Sequence, residues 1–123
     1  MSPVQWNDGT PIYRQLKERV VAMIIDGELK PGDALPSVRT VAAEYQLNPI
    51  TVSRAFQELA DEGVVEKRRG LGMFVIEGAR QQLLSSERQR FLTEEWPQVL
   101  ERIQRLGLDA AELIDPSRKW GAQ

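Results

Sequence analysis

The chain has 123 residues, a formal net charge of −2, no cysteine and no histidine. Those absences exclude disulfide scaffolds, thiolate and imidazole metal sites, cysteine nucleophiles and histidine general bases, so no enzyme activity, metal or other cofactor is expected. The length suits one compact domain with a small appendage, no run of about 18 apolar residues offers a membrane span, and Met1–Thr10 lacks a signal-peptide pattern, so a cytoplasmic protein without a membrane partner is expected.

Thr10-Pro11 reads as an N-cap followed by a first-turn proline, whose missing N–H would have no helical partner there. Ile12, Leu16, Val20, Met23 and Ile24 follow with helical spacing, and Gly27 stops a first helix over about 11–26. Lys30-Pro31-Gly32-Asp33 is a turn signal. Ser37 then caps a short second helix with Val38, Val41, Ala42 and Tyr45 on its inner side. Asn48 caps and Pro49 opens a third helix over about 49–62, which ends at Gly63. Val64–Arg68 and Met73–Ile76 read as short strands joined by a turn at Arg69-Gly70-Leu71-Gly72. Residues 80–107 carry Leu, Phe and Trp at helical spacing, as one or two amphipathic helices with a break expected near Thr93–Pro97 and Thr93 as its cap. Asp109–Ile114 adds a short helical piece, and a frayed tail follows.

Two helices joined by a short turn and followed by a basic hairpin predict a mainly α fold with a small β-hairpin: a winged helix-turn-helix over 1–78. A helical dimerisation segment is expected over 79–115, with a flexible tail over 116–123. The third helix would enter the major groove of double-stranded DNA with its N-terminal end first. At 100° per residue Val52, Ala55, Phe56 and Leu59 share one face, and Ile50, Ser53, Arg54 and Gln57 share the other. Ile50 is either an ordinary surface isoleucine or a contact for a thymine methyl. Arg54 and Gln57 can bond guanine and adenine edges, or phosphate. Glu58, Asp61 and Glu62 restrict the approach to the helix's first half.

Lys67, Arg68 and Arg69 precede Gly70 in the hairpin, and strand alternation sends Arg68 to the face opposite Lys67 and Arg69. They either protect an edge or grip phosphate or a minor groove. Ser37 and Arg39, at the start of the second helix, form a phosphate seat. Across 36–56 and 67–76 the cations are Arg39, Arg54, Lys67, Arg68 and Arg69, against Glu44 alone. The acidic total therefore conceals a basic face.

The stretches Pro11–Gly27, Leu29–Arg39, Leu47–Leu59, Glu62-Gly63 and Arg68–Val75 resemble the N-terminal domain of GntR-family bacterial transcription regulators. The Asn48-Pro49 helix start and the short C-terminal region resemble the YtrA subfamily. That resemblance implies a two-helix dimerisation appendage and linkage to ABC-transporter operons. It places DNA contacts on Arg39, Thr51, Ser53 and Gly70. Some members carry Arg or Thr where this chain has Pro49 and Ile50, which alters the expected operator. The 47 residues after position 76 are too few for the large effector domains of other subfamilies.

The apolar stripe Leu84, Phe91, Leu92, Trp96, Val99, Leu100 and Ile103 must be covered, by the chain's own winged helix or by a second copy. A homodimer would present two third helices to half-sites about 34 Å apart and predicts a palindromic operator. A small-molecule effector of unknown identity could bind between protomers, although no residue cluster marks a site. The expected function is a dimeric repressor; the competing reading is a winged helix used for protein–protein contact, with no operator.

Overall fold

A computed structural model describes residues 6–118. Helix α1 spans Ile12–Ile25 and buries Leu16, Val20, Val21 and Ile24 along one stripe. Its N-cap position is Pro11, one residue later than the sequence suggests, and no side chain caps it. The Pro11 carbonyl accepts from Arg14 and Gln15 N–H at 3.1 and 3.2 Å. The Gln15 side chain fixes the approach of the chain instead, bonding the backbone of Asn7 and Thr10.

Helix α2 spans Val38–Tyr45, and Ser37 accepts from the Thr40 N–H at 3.0 Å as its cap. It ends at Gln46, which takes the left-handed conformation at φ 56° and turns the chain into the next helix. Helix α3 spans Pro49–Asp61, with Asn48 accepting from the Ile50 N–H at 2.9 Å and Pro49 in its first turn. Val52, Ala55, Phe56 and Leu59 are its buried face, as helical periodicity predicts.

Strands β1, Val65–Arg68, and β2, Gly72–Val75, form an antiparallel hairpin with Val65 opposite Val75 and Arg68 opposite Gly72. The turn signal at Lys30–Asp33 has a second role that its composition does not reveal. It delivers the following segment to the free edge of β2: Gly32 donates to Val75, Val75 to Asp33 and Leu35 to Met73, all at 2.8–2.9 Å. That edge pairing ties the hairpin to the loop before α2 and satisfies backbone groups that would otherwise be orphaned.

Helix α4, Ala79–Arg90, begins inside the same core: Ala79 and Leu83 are buried with residues of α1, α3 and the hairpin. The chain divides into two compact units between Ser85 and Ser86, beyond the boundary at residue 78 that the sequence suggests.

In the second unit a π-helical turn, Phe91–Glu95, runs directly into α5, Trp96–Arg105. The break expected with Thr93 as a cap does not occur. Thr93 Oγ1 instead donates back to the Gln89 carbonyl at 2.8 Å. Pro97 has no N–H for the preceding turn. The wider turn, closed by the Trp96 N–H on the Phe91 carbonyl, accommodates the proline without ending the helix. A short α6, Ala110–Leu113, is capped by Asp109. The expected tail is turned back at its start, where Ser117 bonds Asp115 and Arg118 pairs with Glu112 at 3.2 Å; residues 119–123 lie outside the described region. Among the described residues no helix is long and apolar enough to cross a membrane.

Candidate nucleic-acid interface

The predicted contact residues separate into groups that the sequence does not distinguish. Ser37 at the start of α2, Ser53 and Gln57 on α3 and Lys67 on β1 line one open cleft of about 380 Å³. Leu35, Phe56 and Met73 supply apolar lining, and Leu71 and Gly72 border it from the wing. The geometry follows from strand alternation: Lys67 pairs with Met73 on the hairpin face that continues from buried Val65 and Val75. Gln57 also bonds Asp61 at 2.9 Å, so that carboxylate is held within α3.

Arg68 points to the other hairpin face. Its guanidinium lies 4.3 Å from the centre of the Phe74 ring and 3.6 Å from Glu66. Arg69 and Gly70 are exposed at the wing tip, where Gly70 has φ 77°. A side chain at that φ is strained, although open space surrounds the position. Arg39 is exposed on α2 and borders a shallower concavity with Leu47 and Pro49. Asn48 has its side chain engaged as a cap, and Thr51 is half-buried. Ile50 remains 76% exposed at the outer face of the first turn of α3.

Arg54 is held in a way the sequence reading missed. Its guanidinium carbon sits 3.8 Å from the centre of the Tyr13 ring on α1, and Nη2 donates to the Tyr13 hydroxyl at 3.2 Å. Glu58 Oε2 is 3.9 Å from Arg54 Nε. The signal was available as the Tyr13–Lys17 spacing on α1, but it gains meaning only once α1 packs across α3.

Arg39, Lys67 and Arg69 make no ion pair among the described residues, while Arg54 and Arg68 each have a carboxylate neighbour. Glu58 late in α3 and Glu62 at its C-cap are also occupied: Lys17 contacts them at 3.5 and 2.5 Å. Partial burial alone would lower the Lys17 pKa, but the hydrogen bond and charge of Glu62, helped by Glu58, raise it overall. No group of three or more metal-ligating side chains occurs among the described residues.

On the second unit Phe91, Leu92 and Val99 stay 46%, 62% and 45% exposed, and Trp96, Leu100 and Ile103 are half-buried. The π-turn places Phe91 one turn before Trp96, with ring centres 6.3 Å apart. Leu84, on α4, is half-buried as well.

Three helices, a short turn between the second and third, and a hairpin packed beside them define a winged helix-turn-helix protein. Residues 12–75 match the family described as bacterial regulatory proteins, gntR family, and the chain belongs to that family. It is 32% identical over 111 residues to the HTH-type transcriptional regulator YhcF of Bacillus subtilis, covering 90% of each chain. It is 39% identical over 87 residues to the HTH-type transcriptional repressor YtrA of the same organism, covering 71% of this chain and 67% of YtrA. A GntR family transcriptional regulator from Listeria monocytogenes superposes with a TM-score of 0.74 at 30% identity, over 89% of this chain and 94% of that one. The resemblance to YtrA-like members therefore extends past the winged helix into the C-terminal segment.

Proposed function

We propose that the protein is a sequence-specific repressor that binds a palindromic operator as a homodimer. The observation that carries this reading is the cleft that gathers Ser37, Ser53, Gln57 and Lys67 where the wing meets the outer face of α3. In this reading α3 enters the major groove, where Ile50 meets a thymine methyl and Thr51, Ser53 and Gln57 face base edges. Arg39, Lys67 and Arg69 neutralise phosphates, Ser37 seats one at the α2 N-terminus, and Gly70 lets the wing backbone approach the duplex. Asn48 supports the reading end of α3 as its cap, and Arg68 stabilises the hairpin from its far face.

The dimer reading is supported by the apolar residues that the single chain leaves facing water, Phe91, Leu92 and Val99, flanked by Trp96, Leu100 and Ile103. Leu84 extends the same apolar series in sequence. A twofold pair would set half-sites about 34 Å apart on one side of the duplex. Operator binding would place the protein's work in the cytoplasm, and the YtrA resemblance points to an ABC-transporter operon as its target.

Repeated selection from a random-sequence duplex library with the full chain tests this. Enrichment of a two-fold symmetric sequence, bound two chains per duplex, is expected. Failure to enrich any sequence at low salt would overturn the reading.

A further inference from the structure

Tyr13 and Lys17 are four residues apart on α1, and Arg54 and Glu58 are four residues apart on α3. Residues at that spacing share one helix face. The two pairs meet across the packed helices: Tyr13 lies under Arg54 and Lys17 holds Glu58. Lys17 thereby shares the charge of Glu58, which leaves Arg54 less neutralised than its carboxylate neighbour alone would imply. The Arg54 side chain remains 63% exposed. Its guanidinium thus has one flat face on an aromatic ring, one N–H committed to the Tyr13 hydroxyl and Nε beside the Glu58 carboxylate at 3.9 Å, while much of the side chain stays open to solvent.

The contact with Tyr13 tethers the guanidinium on the α1 side of α3, and Arg54 is not among the residues that line the cleft with Ser53 and Gln57. A side chain already ordered by its own protein loses less rotamer entropy when it binds, and a planar guanidinium is suited to phosphate. From this geometry we infer that Arg54 is a preorganised phosphate clamp and not a base reader, and that Tyr13 is the residue that positions it. The inference rests on the DNA-binding reading and assigns no new partner. It moves base discrimination off Arg54 and onto Ile50, Thr51, Ser53 and Gln57.

Fluorescence anisotropy with labelled duplexes tests it, using one random-sequence duplex and the duplex enriched by selection, each across a salt series. Arg54→Ala is expected to weaken both duplexes by the same factor and to flatten the plot of log K against log salt by about 0.9 per chain, one phosphate contact. Tyr13→Leu removes ring and hydroxyl together and is expected to reproduce most of that affinity loss. Adding Tyr13→Leu to Arg54→Ala should cause no further loss, because the tyrosine acts through the arginine. Tyr13→Phe keeps the ring and should retain more affinity than Tyr13→Leu. Thermal unfolding of each variant separates a folding defect from a binding one; a merely structural role would leave the salt slope unchanged.

A change in preference at one operator base pair in Arg54→Ala, with the salt slope unaltered, would overturn the clamp. Additive losses in the double variant would overturn the role given to Tyr13. If the wild-type chain binds the random duplex but selects no sequence, the operator reading fails, while the clamp is still judged from the random-duplex slope. If it binds neither duplex, both readings fall.

Discussion

Lys67 and Arg68 are adjacent cations in one strand, yet they lie on opposite hairpin faces with different neighbours, and parallel alanine substitutions should expose the difference. Lys67 lines the cleft beside Ser53 and Gln57 and has no ion-pair partner among the described residues. Arg68 lies over Phe74 and near Glu66 on the other hairpin face. Each phosphate neutralised contributes about 0.9 to the slope of log K against log salt. Lys67→Ala should therefore flatten the slope by about 0.9 per chain. Over a four-fold rise in salt this corresponds to about a 3.5-fold difference in affinity per chain, and about 12-fold for a dimer with two such contacts. Arg68→Ala should leave the slope within error of wild type. It should instead lower unfolding stability by about 0.5–1 kcal/mol, the usual worth of an exposed cation–π contact. Anisotropy titrations across a salt series read the first quantity and urea unfolding reads the second. Equal slope changes in the two variants would refute the division of the hairpin into a DNA face and a far face.

Asn48→Ala removes the cap bond to the Ile50 N–H and should cost about 1 kcal/mol in urea unfolding, fraying the first turn of α3. Gln46→Gly should stabilise the protein by up to about 1 kcal/mol, because Gln46 holds a left-handed conformation that glycine adopts without strain; a loss of stability would contradict this. Trp96→Ala combined with Ile103→Ala should shift sedimentation toward monomer and weaken binding to a two-half-site duplex, while helicity is retained. Because the folded pKa of Lys17 lies above its ordinary value of 10.5, the stability from its ion pairs is fully present below that pH and is lost as pH rises through the folded value. Lys17→Met should remove that alkaline decline, as measured by unfolding in denaturant above pH 10.5.

Local signals were legible where the governing interaction lies within a few residues. Ser37 and Asn48 cap the helices that they precede, and the 100° periodicity of α3 separates Val52, Ala55, Phe56 and Leu59 from Ile50, Ser53, Arg54 and Gln57. The start of α1 was displaced by one residue because Gln15, five residues downstream of Thr10, holds the entering chain. The continuous passage from the π-turn into α5 was hidden because Pro97 ordinarily signals a boundary. A wider turn satisfies the same steric constraint as a break, and composition does not choose between them.

From the sequence alone came the order of the elements, the absence of cysteine and histidine, the local excess of cations and the family resemblance. Each is a property of short windows or of counts. The tertiary structure decided which cations remain available. It placed Arg54 on Tyr13, Arg68 on Phe74, and Lys67 in the cleft beside α3. It also joined Gly32–Leu35 to the edge of β2. Tyr13 and Arg54 are 41 residues apart in the chain, so their contact exists only after α1 and α3 pack. Charge counting treats five basic residues as equivalent, whereas packing supplies two of them with aromatic and acidic neighbours and leaves three facing solvent with no ion pair among the described residues.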